Sequence, residues 1–159
     1  LVREIREFFD GPIALSGSIS EGSSVLSAIA LGADFAYVGT KFIATEEANA
    51  SPGYKQMLID STADDIMYSA TFTGVEGNYL RPSVVAAGLD PEEHTSGSKD
   101  DMNFSSSAIA KKDNSSKAWK DIWGSGQGIG AIKKAPSVQE AVDEMVNEFN
   151  QAKERLDQF

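Results

Sequence analysis

The stretch "GADFAYVGTKF", Gly32 to Phe42, decides how this chain folds. A glycine opens it, apolar residues fill Phe35 to Val38, and it closes on Gly39-Thr40. A run this short and apolar reads as a buried strand, not a helix. The residues before it read as a helix: Val25, Leu26, Ile29 and Ala30 share one face, Ser20 is the expected N-cap, and Gly32 the C′ stop. Further upstream, "PIALSGSI" (Pro12–Ile19) is a second short apolar strand ending in a Ser/Gly turn. Val2, Ile5, Phe8 and Phe9 mark an opening helix that Asp10-Gly11-Pro12 stops. Helix, strand, helix, strand with short links is the α/β alternation of a parallel sheet. Its mixed apolar runs predict strands buried on both faces.

Downstream, a helix is expected near Thr45–Ala50. A second begins at Ser51-Pro52, with Ser as N-cap and Pro at the first helical position. "DIMYSATFTG" and "VEGNYLR" read as a hairpin, and "RPSVVAAGLDPEE" as a short helix ended by Gly88. Residues 94–117 are rich in Ser, Asp and Lys and read as an exposed, mobile loop. The aromatic and then Gly-rich "AWKDIWGSGQGIGAI" follows. Ser137 and Glu140 form an expected capping box for a final helix whose apolar face runs Val138, Ala141, Val142, Met145, Val146, Phe149.

The totals narrow the function. A chain of 159 residues with 41% hydrophobic residues can bury a core. Cysteine is absent, which removes disulfides, thiolate metal sites and cysteine nucleophiles, and leaves the cytoplasm as the default location. No run is apolar and long enough to span a membrane. A net charge of −10 argues against nucleic acid and requires any anion to be held locally. No His/Asp/Glu cluster suggests a metal, and no carboxylate pair has a spacing that demands acid–base chemistry.

Both early strands end in small residues, Ser16-Gly17-Ser18 and Gly39-Thr40. Glycine lets a ligand approach the backbone, amides donate, a helix start favours an anion, and the Thr hydroxyl adds a donor. Either glycine alone is a turn residue. Two such ends on successive strands match the phosphate site after the last two strands of a (β/α)8 barrel.

"GPIALSGSISEGSSVLSAIALGADFAYVGTKFIATEEANASPGYKQML" resembles the second half of the nitronate monooxygenases, once called 2-nitropropane dioxygenases. The resemblance rests on Gly17, Ile19, Ala30-Leu31-Gly32-Ala33-Asp34, Gly39-Thr40-Lys41-Phe42, and Glu46 or Glu47, and extends over most of the chain outside the 94–117 loop. It implies an α/β fold, the C-terminal part of a TIM barrel around strands 7–8 with a helical and loop insertion. It also implies FMN as cofactor, and oxidation of a small anionic alkyl nitronate by O₂. Gly17, Ser18, Gly39 and Thr40 would hold the FMN phosphate; Gly126 and Gln127 would lie near flavin or substrate, or form only a flexible turn. No catalytic residue is assigned. Ser18 departs from the family's second Gly, which is harmless at negative φ and strained at positive φ.

On this reading 1–45 is barrel strands 7–8 with the phosphate loops, 46–93 inserted helices and hairpin, 94–117 loop, and 118–159 the Gly-rich segment and last helix. Strands one to six lie outside the chain, so a fragment inactive alone is expected, covering its open faces by homo-oligomerisation or by association with the other barrel half. Two alternatives stand: another FMN barrel such as the flavin-type enoyl-acyl carrier protein reductase, or a non-catalytic half-barrel assembly module. The remaining residues have ordinary readings beside functional ones. His94 reads as a solvated loop residue. Trp119 and Trp123 share a helical face and read as packing residues. Tyr54 and Lys55 could face the site and Lys41 could screen a phosphate, although a surface lysine is the ordinary reading of both lysines.

Overall fold

The computed structural model describes residues 1–70, 76–91 and 121–158. The expectations for loop 94–117, His94 and Trp119 fall outside them. In chain order the helices and strands are α1 (Val2–Arg6), β1 (Ala14–Ser16), α2 (Gly22–Ala30), β2 (Phe35–Tyr37), α3 (Thr40–Ile43), α4 (Pro52–Asp60), β3 (Ile66–Ser69), β4 (Gly77–Leu80), α5 (Arg81–Ala86) and α6 (Val138–Leu156). Short 3-10 turns lie at Ala63–Asp65 and Gln127–Ala131. The chain forms two units: Leu1–Asp60 with Gly126–Phe159, and Ser61–Ser125.

In the first unit β1 and β2 pair in parallel, Ala14 opposite Phe35 and Ser16 opposite Tyr37. Leu15 and Ala36 face the core of Val2, Ile13, Ile19, Ala28 and Ala33. The expected burial on both faces is not found: Phe35 is 61% and Tyr37 66% exposed. Strand alternation puts them on the opposite face from Ala36, and the helices cover only Ala36's side. α1 stops at Arg6, before the predicted end, so Phe8 leaves the helical face and is 80% exposed.

α2 ends as its sequence dictates. Gly32 takes φ +99°, its N–H donates to the Ile29 carbonyl (2.9 Å), and the Ala33 N–H donates to the Ala28 carbonyl (3.1 Å). This is a Schellman stop, and it seats Ala28 and Ala33 in one core. Its start is different from the expectation. The N-cap is Glu21, not Ser20, and Glu21 makes no side-chain cap. Ile29 and Ala30 are exposed, so the buried face is Gly22, Val25 and Ala28.

The helix expected at Thr45–Ala50 is a turn; the helical residues come earlier, as α3. Ser51 does cap α4, its Oγ accepting the Tyr54 N–H at 3.2 Å. Ser137 and Glu140 form the predicted capping box on α6, where Ala141, Met145 and Ala152 are buried. Val138, Val142 and Val146 are exposed, so the buried stripe is narrower than the sequence pattern.

In the second unit β3 and β4 form the predicted antiparallel hairpin, Ile66 opposite Leu80. Gly124 bridges to Tyr79, and the Leu80 N–H donates to the Trp123 carbonyl at 2.8 Å. The buried Ser83 hydroxyl donates to the Leu80 carbonyl (2.7 Å) and accepts the Trp123 N–H (3.0 Å). α5 ends at Gly88, φ +78°, with a second Schellman stop.

Candidate functional site

The two strand ends lie side by side because β1 and β2 are paired neighbours up to Ser16 and Tyr37. The starts of both strands are fixed from one point. Asp34 Oδ2 accepts the Ile13 N–H (2.7 Å) and Arg6 Nη2 (2.5 Å). Arg6 also donates Nε and Nη2 to the Gly32 carbonyl (3.1 and 3.0 Å) and Nη1 to the Gly11 carbonyl (2.6 Å). The Ile13 hydrogen bond, and then Arg6, hold the Asp34 carboxyl below the usual range. The Asp of the Ala-Leu-Gly-Ala-Asp motif is therefore a strand anchor.

After β1 the chain turns through two successive left-handed residues, Gly17 at φ +109° and Ser18 at φ +55°. Among the described residues Ser18 is the only non-glycine at positive φ. Of the two outcomes posed by the sequence, the strained one holds, at a cost on the order of 1 kcal/mol. No atom stands within 4 Å of where a Cβ would lie on Gly17 or on Gly39, so both backbones are open to a ligand.

A third segment closes against these ends. The Gly126 N–H donates to Thr40 Oγ1 at 2.9 Å, which leaves the hydroxyl proton free to donate elsewhere. A Cβ on Gly128 would stand 2.5 Å from Ser20 Oγ and 3.1 Å from the Ser18 carbonyl, so a larger residue there would have to displace the Ser20 hydroxyl and crowd the Ser18 backbone. Gln127 joins Ser18, Ser20, Glu21 and Ser24 in lining a cleft of ≈ 290 Å³. The structure thus brings Thr40 to Gly126, and Ser18 to Gln127 and Gly128. Ser20, assigned to a cap, is instead buried beneath Gly128.

Charged groups take other roles than the sequence suggested. Lys41 is only 6% exposed and pairs with Glu144 of α6 at 3.0 Å, so it is neither a phosphate screen nor a surface lysine. The first N–H of α2, on Gly22, donates to Glu148 Oε2 of α6 at 2.7 Å. A carboxylate of the chain itself therefore occupies that helix start, and an anion at the strand ends must rely on loop amides and hydroxyls. Both Glu47 oxygens accept the Val138 N–H at 2.9 Å, giving the Glu of the motif a helix-capping role. Lys55 Nζ donates to the Glu46 carbonyl at 2.9 Å, and burial raises the Tyr54 hydroxyl pKa. Trp123 belongs to the second unit. Sequence reading missed Gly22, Gly128, Glu144 and Glu148; the only signal was the one-turn spacing of the last two on a capped helix.

An α/β chain with a parallel strand pair and open glycine turns at its strand ends has close counterparts among solved structures. FabK from Thermotoga maritima superposes with TM-score 0.70 at 21% identity, over 98% of this chain and 50% of that one. Nitroalkane oxidase from Streptomyces ansochromogenes superposes with TM-score 0.67 at 25% identity, over 98% of this chain and 44% of that one. The chain belongs to the nitronate monooxygenase family, whose sequence profile matches residues 1–148. A nitronate monooxygenase of Paraburkholderia phytofirmans is 29% identical over 151 residues, 93% of this chain and 40% of that relative. The chain thus spans about half or less of the proteins it matches.

Proposed function

We propose that this chain supplies the phosphate-holding, C-terminal strands of an FMN-dependent barrel that oxidises alkyl nitronates with O₂. The carrying observation is the pair of adjacent strand ends, open at Gly17 and Gly39, with Thr40 tied to Gly126. Gly17, Ser18, Gly39 and Thr40 would hold the FMN phosphate through amides and hydroxyls. Gly126 and Gln127 would lie beside flavin or substrate. These residues fit a phosphate: the glycines leave room against the backbone, and the Thr40 hydroxyl has a proton to give. The flavin, when bound, supplies the electron transfer between nitronate and oxygen. The chain's residues bind and orient it, and the oxidation requires the rest of the barrel. Residues 1–45 take the place of strands 7–8, and the uncovered β1–β2 face with Phe35 and Tyr37 would be covered by the other barrel half or by another copy of the chain.

Titration of the 159-residue chain with FMN and with riboflavin, followed by flavin fluorescence, tests this reading. Saturable binding at least about tenfold tighter for FMN supports a phosphate site. Gly39→Ala fills the open space and should remove that preference. Equal or absent binding of the two flavins rejects the phosphate assignment.

A further inference from the structure

We infer that α6 is the positioning element of the two strand-end loops, with Glu144 and Glu148 as positioning residues; this rests on the phosphate reading above. The two glutamates are one turn apart and share a face of α6. Each takes hold of the chain just as it leaves one loop. Glu148 Oε2 accepts the N–H of Gly22, which follows the Gly17-Ser18 turn. Glu144 Oε2 accepts Nζ of Lys41, the residue after Gly39-Thr40.

Neither grip has slack. A Cβ on Gly22 would stand 1.9 Å from the Met145 carbonyl oxygen and 2.4 Å from the Phe149 nitrogen, so α2 and α6 touch backbone to backbone. The Lys41 stem is buried, which fixes the ammonium at the end of a chain that is ordinarily flexible. α6 is itself held at its start: Glu47, a few residues after α3, accepts the Val138 N–H. One rigid helix therefore sets the spacing between two loops whose donors must converge on a single anion. A misplacement on the order of 1 Å in such a site costs about 100-fold in a reaction, and a loosened loop should cost at least about tenfold in phosphate binding.

The test uses the 159-residue chain with Glu144→Ala, Glu148→Ala and, as a control on the exposed face of α6, Glu154→Ala. FMN and riboflavin affinities are measured well below each variant's Tm, together with amide hydrogen exchange. The expected result is an FMN affinity at least about tenfold weaker in the first two variants, riboflavin affinity within about twofold, and Glu154→Ala unchanged. Exchange should quicken at Gly17–Ile19 in Glu148→Ala and at Gly39–Thr40 in Glu144→Ala. A purely structural role lowers Tm and leaves the loop amides and the FMN preference alone; that outcome overturns the inference. Should the wild-type chain show no preference for FMN, the phosphate reading falls. The exchange pattern then still decides whether α6 governs the loops.

Discussion

Replacing Gly22 by alanine should unfold much of the first unit's stability, and the structure sets the size of the effect. The added carbon would stand 1.9 Å from the Met145 carbonyl oxygen. Carbon and a carbonyl oxygen approach to about 3.3 Å, so α2 and α6 must part by roughly 1.4 Å. Parting the helices by that much stretches the 2.7 Å hydrogen bond from the Gly22 N–H to Glu148 to about 4 Å, which breaks it. A charge-assisted hydrogen bond contributes about 1.5–3 kcal/mol, and overpacking costs about 1–3 kcal/mol. The sum is roughly 2.5–6 kcal/mol, a large share of the ~5–15 kcal/mol that holds a domain folded. Urea denaturation followed by far-UV circular dichroism reads it directly. With a slope of about 2 kcal/mol per molar, the midpoint should fall by about 1–3 M. Gly22→Ala within ~1 kcal/mol of wild type would refute the backbone contact, and with it the grip of α6 on α2.

Three further outcomes are expected. Ser18→Gly should raise stability by up to about 0.5 kcal/mol, since relief of the left-handed strain slightly outweighs the greater freedom of glycine in the unfolded chain; calorimetry reads this as a Tm higher by about 1–3 °C. Glu144→Ala should cost about 2–4 kcal/mol in denaturant titration because it strands a buried ammonium, whereas Lys41→Met should cost about 1 kcal/mol or less because Glu144 is half-exposed and can be hydrated. Asp34, whose folded pKa is depressed, contributes stability that is fully present above its unfolded value of about 3.9 and is lost as pH falls through the folded value. Tm should therefore drop below about pH 4, and Asp34→Asn should flatten that drop.

The parts of the fold that depend on neighbours in sequence were legible. Gly32 and Gly88 stop their helices in the left-handed conformation, Ser51 and Ser137 cap theirs, and β3–β4 close as a hairpin, because each of these is settled within a few residues. The parallel pairing of β1 and β2 followed from the alternation of short apolar runs with helical ones. What was not legible is what distant segments do. Ser20 looked like a cap until Gly128 came down on it. Lys41 looked solvent-facing until Glu144 buried it, and nothing local to Gly22 announces a helix backbone pressed against it. The strand faces misled for a related reason: an apolar run shows that a surface can be buried, not that this chain buries it, as Phe35 and Tyr37 show. The candidates Gly17, Ser18, Gly39 and Thr40 were picked out by residue type. Their tie to Gly126–Gly128 crosses the whole second unit and leaves no mark in either segment alone.

The grips of α6 also set an order of events in the making of the protein. Gly22 and Glu148 are separated by 126 positions, and Lys41 and Glu144 by 103. At about 10 residues per second, a ribosome finishes both loops roughly ten seconds before it makes the helix that holds them. Through that interval the N-terminal amides of α2 and the Lys41 ammonium are solvated. The loops acquire their spacing only when the middle turns of α6, which carry Glu144 and Glu148, are released from the exit tunnel, and loss of those turns during synthesis would leave the loops without it.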